Sequence, residues 1–334
     1  MKLIIQIPCF NEAEQLPATL ADLPRELAGF DEIEWLVIDD GSSDRTVEVA
    51  RRHGVDHIVR LTSHMGLAAA FQAGVDAALK LGADVIVNTD ADNQYDAAGI
   101  PALVQPILNR ESDVVIGNRS VETIEHFSPM KKRLQRLGSA VVRRASQTSV
   151  PDVTSGFRAY TRDAALQMQV VSKFTYTLET IIQAGKLAIA VGDVPVRTNP
   201  QTRPSRLFPT TWSYVRRNGV AIFRVYTTYE PLRVFMVAAG IAALVGAAVW
   251  IRFLYFFVTG SGRGHVQSVI FGSTMLVVAV QFAALGVVAD VLASIRVLVQ
   301  RTLERVRRVE LELGVEPSHL DRGDAEQESP ARRV

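Results

Sequence analysis

The sequence predicts an α/β domain with a Rossmann-like, mostly parallel sheet, followed by a C-terminal two-helix transmembrane hairpin. Three observations carry that expectation. Over residues 1–200, short β-branched runs alternate with helical patterns, and strands separated by helices of that length form βαβ units around a buried parallel sheet. Beyond them, two long uncharged runs occur in series, each long enough to cross a hydrocarbon core of roughly 30 Å at about 1.5 Å per residue. The hydrophobic fraction is 48% against 21% charged, with a mean hydropathy of +0.15, which argues against disorder and against a purely soluble globule. The 334 residues leave room for about two structural units.

Strands are expected at residues 3–7, 34–38, 57–61, 84–88, 113–117, 157–160 and 188–194, and helices at 13–23, 45–53 and 67–81. Residues 1–207 form this domain. Its first apolar run gives way at once to Asn11 and Glu12, so it suits a strand better than a secretory core and the domain is expected in the cytoplasm. Residues 208–231 mix aromatics with Arg216, Arg217 and Arg224, the composition of a helix lying in a membrane interface. Residues 232–293 hold the two spans, 234–251 (extended past Arg252 by 253–258) and 269–289, with a Gly-rich break at 260–264. Arg203, Arg206, Arg216, Arg217, Arg224 and Arg233 precede the first span. Arg296, Arg301, Arg305, Arg307 and Arg308 follow the second, while the connecting loop carries only Arg263. The positive-inside rule then gives a multi-pass protein of the cell (inner or plasma) membrane with both termini cytoplasmic. Residues 294–334 open with an Arg-rich helix drawn to anionic lipid and close with polar residues 315–334, expected to be disordered.

Several function classes drop out. Lys+Arg 36 against Asp+Glu 35 leaves a net charge of +1, so no nucleic acid is expected as partner. Cys9 is the single cysteine, which excludes an internal disulfide and any Cys-based zinc site. The histidines are scattered, with no helical pair to hold a metal. There is no G-x-x-x-x-G-K-[ST] phosphate loop, and the Gly-rich 260–264 stretch sits between spans rather than after a strand. Cys9 and His64 read as structural residues and Ser155 as turn chemistry.

Four polar loops each follow a predicted strand: Pro8-Cys9-Phe10-Asn11-Glu12, Asp39-Asp40-Gly41-Ser42-Ser43-Asp44, Ser63-His64-Met65-Gly66 and Asp90-Ala91-Asp92-Asn93-Gln94. Singly, each is ordinary turn and cap chemistry. Together they would line one crevice at the carboxyl ends of the strands, where such sheets bind ligands. Asp90 and Asp92, one small residue apart, can point toward one place, and two anions so close repel unless a cation lies between them. Hard oxygen donors without His or Cys suit Mg²⁺ or Mn²⁺, which bind through one or two carboxylates plus substrate phosphates.

With Asp152-Val153-Thr154-Ser155-Gly156-Phe157-Arg158 added, these motifs resemble family 2 glycosyltransferases, and among them the polyprenyl-phosphate (dolichol-phosphate-type) subgroup. The resemblance covers residues 3–206, and the hairpin after Glu230-Pro231-Leu232-Arg233 extends it. It implies a nucleotide-diphospho-sugar transferase fold, a nucleotide-sugar donor and a polyprenyl-phosphate acceptor at a membrane. Pro8, Phe10, Glu12 and Asp39 match positions that hold base and ribose, and Asp40 and Ala91 are grouped with them as nucleotide-sugar-binding. Asp90 and Asp92 match the metal and diphosphate positions, with Gln94 the nearby polar contact. Arg119 matches an arginine near the acceptor phosphate and, with Asp92, is assigned to catalysis. Arg203 and Arg206 resemble the basic loop over the phosphates, although Pro204 and Arg206 stand where the usual pattern has Gly and Lys. Some relatives place an acidic residue, proposed as base, where this chain has Gly156, so no base is assigned. The implied activity is metal-dependent, inverting transfer of a hexose from a UDP- or GDP-linked donor to a polyprenyl phosphate at the cytoplasmic membrane face. A processive polysaccharide synthase is the alternative enzyme, but Q-x-x-R-W is absent and two spans are few for a channel. A non-catalytic nucleotide-sugar-binding membrane protein is the other, against which the intact Asp90/Asp92 pair speaks. The hairpin leaves a homo-oligomer open.

Overall fold

The computed structural model describes residues 1–119, 143, 146, 148, 150–170, 176–200, 220, 223–224, 227–260 and 266–321. Arg203, Arg206 and most of the 208–231 segment lie outside the described residues. The chain divides into two compact units, Met1–Ile222 with Gln300–Val334, and Phe223–Val299.

The first unit opens with β1 (Lys2–Cys9), α1 (Leu16–Asp22), β2 (Glu32–Asp39), α2 (Thr46–Arg52), β3 (His57–Arg60), α3 (Leu67–Lys80) and β4 (Val85–Asn88). It continues with α4 (Ile100–Leu108), β5 (Val114–Asn118), β6 (Arg158–Thr161), α5 (Arg162–Gln167), α6 (Thr177–Lys186) and β7 (Val191–Pro195). All the strands join one sheet in the order β3-β2-β1-β4-β6-β5-β7. β1 runs parallel to β2 and β4, β2 to β3, and β5 to β7. Among the described residues only β6 is reversed, antiparallel to both β4 and β5.

β1 reads as a nearly unbroken apolar run because both of its faces are covered. Leu3, Ile5 and Ile7 pack in a buried cluster with Leu16 and Leu20 of α1, Leu103 and Val104 of α4, and Phe157. Truncating a side chain buried like these costs ~2–5 kcal/mol. On the other face, α3 lies close over the sheet. A Cβ on Gly74 would sit 2.5 Å from Gln6 Oε1 and 2.7 Å from Ile38 Cδ1, so a bare Cα is what permits the approach. With β1 to β4 parallel, their carboxyl ends share one edge, and the four polar loops follow them there.

The second unit is a hairpin of two long apolar helices, α7 (Pro231–Val258) and most of α8 (Val266–Glu312). A Cβ on Gly246 would lie 2.9 Å from Gly272 O, and Trp250 Nε1 donates to Ser273 Oγ at 3.3 Å, so the two helices pack directly. Both are long and apolar enough to cross a membrane, and they expose Leu244, Ile251, Phe257, Val280 and Leu292.

Two features depart from expectation. The second apolar run and the Arg-rich segment after it form one continuous helix of 47 residues. Polar residues alone do not end a helix, and neither Gly nor Pro occurs between Gly286 and Gly314. Residues 315–321, expected to be disordered, are ordered against the sheet edge. Leu320 bridges Val59 in antiparallel sense. The Arg60 N–H donates to His319 O at 3.0 Å and the Asp321 N–H to Ile58 O at 2.7 Å, while Arg51 Nη2 pairs with Asp321 Oδ2 at 2.6 Å. The end of α8 is likewise part of the first unit. Arg307 Nη1 donates to Met168 O at 2.8 Å and to Leu166 O at 3.3 Å, capping the last carbonyls of α5. Lys80 Nζ lies 3.3 Å from Glu310 Oε2, and Arg308 Nη2 lies 3.0 Å from Asp163 Oδ1. Arg307 and Arg308, on the helix expected to be drawn to anionic lipid, are therefore bonded to the domain itself.

An unpaired edge strand is an exposed template for wrong pairing. Truncation after Gly314 should therefore lower the melting temperature by several degrees and remove hydrogen-exchange protection from the Arg60 amide. Unchanged protection at Arg60 would show that the tail contributes nothing to the edge.

Candidate active site

The first three loops are laced to one another by hydrogen bonds between backbone and side chains. Asn11 takes φ +55°, a conformation Asn tolerates better than most residues. Its N–H donates to Ser42 Oγ at 2.9 Å and its Oδ1 accepts from the Ser43 N–H at 2.8 Å. The Glu12 N–H donates to Thr46 Oγ1 at 2.9 Å and the Ala13 N–H to Asp44 Oδ2 at 3.1 Å. Burial works against the Asp44 carboxylate, yet the hydrogen bonds from Thr46 and Ala13 prevail and hold its pKa below the usual range.

Asp39 and Asp40, both buried, divide the work at the end of β2. Asp39 Oδ1 accepts from the Ser42 N–H at 3.1 Å. Asp40 reaches the third loop instead, accepting from the Met65 N–H at 2.7 Å and the Gly66 N–H at 2.8 Å, with His64 Nδ1 at 2.8 Å. The His64 ring stacks on Phe10 at 3.8 Å between centroids. Phe10, given to the base from sequence, thus stands exposed at the rim with an aromatic neighbour. Pro8 is buried in β1 opposite Ile38, and Glu12 is half-buried. Cys9 is buried and its Sγ donates to Ile7 O at 3.3 Å; burial pushes its thiol pKa well up, which fits an inert, structural cysteine.

The fourth loop follows the buried end of β4. Asp90 and Asp92 are half-buried. Gln94 holds Asp92 with both of its donors, the backbone N–H to Oδ1 at 3.2 Å and Nε2 to Oδ2 at 2.8 Å. Ala91 is buried, its carbonyl accepting from Thr19 Oγ1 at 2.8 Å. Residues 196–199 brace the outer side, where the Asn199 N–H donates to Gln94 O at 2.9 Å and Asn199 Nδ2 to Asn93 O at 3.0 Å.

Burial, and after it the charge of Asp92, push the Asp90 pKa up to about 7, against the pull of Arg119. A carboxyl raised by its neighbour in this way is a place where a cation is favoured. Among the described residues, no group of three or more His, Cys, Asp or Glu could hold a metal. The carboxylates of Asp90 and Asp92 are hard oxygen donors, the chemistry that suits a divalent cation such as Mg²⁺ or Mn²⁺.

Arg119 follows β5 and forms a fork with the buried Asp152, Nε to Oδ2 at 2.7 Å and Nη2 to Oδ1 at 3.0 Å, with a further bond from Nη2 to Thr154 Oγ1 at 2.9 Å. Burial disfavours its charge, but Tyr95 and Asp152 hold the guanidinium firmly protonated. Burial likewise opposes the Asp152 carboxylate, yet Arg119 keeps its pKa below the usual range. Sequence reasoning assigned no roles to Asn88, Tyr95, Tyr176 or Arg158. Arg158 is fully buried and donates to Ser155 O, Thr177 O, Thr180 Oγ1 and Val153 O, tying the 152–158 turn to α6. Its place in the Phe157-Arg158 motif was the available signal.

The model of glycosyl transferase family 2 matches residues 4–168. An uncharacterized glycosyltransferase of Mycobacterium tuberculosis is 32% identical over 203 residues, 59% of this chain and 85% of that protein. The chain belongs to glycosyl transferase family 2. It is a glycosyltransferase, and its similarity extends to the polyprenyl-phosphate subgroup: an undecaprenyl-phosphate mannosyltransferase of Micrococcus luteus is 29% identical over 206 residues, 59% of this chain and 83% of that protein. Glucosyl-3-phosphoglycerate synthase from Mycobacterium tuberculosis, solved with Mn²⁺, UDP and glucosyl-3-phosphoglycerate, shares the fold of the first unit. Its TM-score is 0.52 at 17% identity, covering 68% of this chain and 79% of that one.

Two stability measurements check these electrostatics. Asp90 has a folded pKa of about 7, above the ordinary 3.8, so protonating it favours the fold. That contribution is fully present below about pH 4 and is lost as pH rises through 7. The Asp90→Asn variant, free of metal, should therefore melt higher than the parent at pH 8, and the gap should vanish near pH 4. Asp152→Asn strips the counter-charge from Arg119 and should cost about 3 kcal/mol in denaturant unfolding at pH 7. The depressed Asp152 pKa makes that loss largest at neutral pH and smaller as acid protonates the parent.

Proposed function

We propose that this glycosyltransferase moves a hexose, with inversion, from a UDP- or GDP-linked donor to a polyprenyl phosphate at the cytoplasmic face of the membrane, with Mg²⁺ or Mn²⁺ at Asp90 and Asp92. The half-buried aspartate pair at the carboxyl edge of the sheet, in a chain similar to an undecaprenyl-phosphate mannosyltransferase, carries the reading.

In the reaction an acceptor phosphate oxygen attacks the anomeric carbon, and the bond from that carbon to the donor's diphosphate oxygen breaks. The nucleoside diphosphate departs with the electron pair. A phosphate monoester has a second pKa of about 6 and is already ionised at neutral pH, so the attack requires no strong base. Gly156, where some relatives carry an acidic residue, agrees with that economy. The cation would supply positive charge to the departing diphosphate. Gln94 orients Asp92 by its two hydrogen bonds. Phe10, Glu12 and Asp39 are assigned to base and ribose, with Pro8 and Ala91 shaping the floor and Asp40 acting through the third loop. Arg119, Arg203 and Arg206 are assigned to the phosphates, and the charge of Arg119 reaches Asp90. The exposed apolar sides of α7 and α8 suit a bilayer, and their arginine flanks favour cytoplasmic termini.

The test is to incubate membranes bearing the full chain with a panel of radiolabelled UDP- and GDP-sugars and Mn²⁺ or Mg²⁺, then extract with organic solvent. One donor should label an extractable lipid, and Asp92→Ala or EDTA should abolish the label. Label confined to the aqueous phase would rule out the lipid acceptor, and full activity of Asp92→Ala would rule out the metal assignment.

A further inference from the structure

Behind the aspartate pair lies a buried polar network that the sugar-transfer chemistry does not by itself require. Asn88, fully buried at the end of β4, accepts from Gln6 Nε2 at 2.8 Å. Its Nδ2 donates to Gly156 O at 2.8 Å and to Tyr176 Oη at 2.9 Å. The Tyr176 hydroxyl donates to the same Gly156 carbonyl at 3.3 Å, and the Gly156 N–H donates to Tyr95 Oη at 2.9 Å. Both peptide groups of Gly156 are thus fixed by side chains that come from β4, the fourth loop and the start of α6. Those phenols cannot easily yield. The Tyr176 ring lies flat on Phe71 at 3.9 Å, the Tyr95 ring stacks on Phe157 at 5.1 Å, and both tyrosines are buried.

A Cβ placed on Gly156 would sit 2.8 Å from Tyr176 Oη and 3.2 and 3.3 Å from the two Asp90 carboxylate oxygens. The backbone at Gly156 is not in the left-handed region, so an alanine would meet no conformational strain. Glycine is required there for space alone. The first carboxylate of the pair rests against a bare Cα whose position three buried side chains set.

We infer that Gly156, pinned by Asn88, Tyr95 and Tyr176, is a positioning residue that seats the Asp90 carboxylate for cation binding and excludes any side chain from that place. The inference deepens the proposed metal site and rests on it for its function, but the seating is measurable without metal.

The experiment uses the full chain in detergent. Thermal melts of metal-free protein compare the parent, Gly156→Ala, Asp90→Ala and the double variant. If the added methyl presses on the carboxylate, removing the carboxylate relieves it, and the double variant melts higher than the sum of the single effects predicts. Mn²⁺ titration by EPR, with UDP or GDP present, is the second readout. Gly156→Ala should bind Mn²⁺ about tenfold more weakly than the parent, as loss of an outer support does at metal sites. Additive melts overturn the inference, and so does coupling accompanied by Mn²⁺ affinity within twofold of the parent. Coupled melts in a parent that binds no Mn²⁺ uphold the seating and remove the metal from the proposed reaction instead. If Gly156→Ala does not fold, Tyr95→Phe, which deletes only the acceptor of the Gly156 N–H, takes its place. Weakened Mn²⁺ binding then supports the inference and parental binding overturns it.

Discussion

Two carboxylates one residue apart at the end of a buried strand repel each other, and the residues packed around them hold each one in place despite that repulsion. Burial and the charge of Asp92 raise Asp90 to about 7, so near neutrality a positive charge beside the pair would compete with a proton for it. Gln94 holds one carboxylate, the bare Cα of Gly156 backs the other, and residues 196–199 brace the loop from outside. The fold thereby stores unfavourable charge at a place where a ligand can relieve it. Such sites cost stability in the free protein, and a closely packed sheet is what offsets the cost.

The lacing between loops has the same logic. Asp40 could have faced the ligand; instead its oxygens are satisfied by the backbone of Met65 and Gly66 and by His64. This spends one carboxylate on holding the third loop and leaves Asp39 beside it on the second. Arg119 shows the converse economy. Its fork with Asp152 keeps a guanidinium in the interior, and its field reaches Asp90 and Tyr95. An arginine so anchored lends charge to the site at a fixed position, which a solvated arginine on a mobile stem does not do.

Much of this was legible in the sequence because buried strands are short, β-branched and apolar whichever way they run. That same property hid the reversal of β6: an antiparallel central strand covered on both faces has no alternation to betray it. The aspartate pair was legible because its partners are its neighbours in sequence. The network under it was not, since Asn88, Gly156 and Tyr176 are far apart along the chain and each is unremarkable alone. Asp152, the partner of Arg119, was visible only as part of a motif. The ordering of residues 315–321 was hidden for a different reason. A polar tail pairing through backbone N–H and C=O groups needs no side-chain pattern, only an open strand edge to meet.

That last pairing bears on where the catalytic domain ends. By composition the boundary falls before the first apolar helix, and everything after it reads as anchor and tail. The contacts say otherwise: Glu310 pairs with Lys80 of α3, Arg307 caps α5, and Leu320 bridges β3. β3 in turn leads into the third loop, which Asp40 grips and which carries the His64 ring against Phe10. Residues 319–321 are therefore continuous, through one edge strand, with the loop at the proposed nucleotide position. A domain cut free of its hairpin is complete only if residues 300–321 are kept with it, and loss of activity on simple C-terminal deletion would report damage to the sheet edge as readily as loss of a membrane.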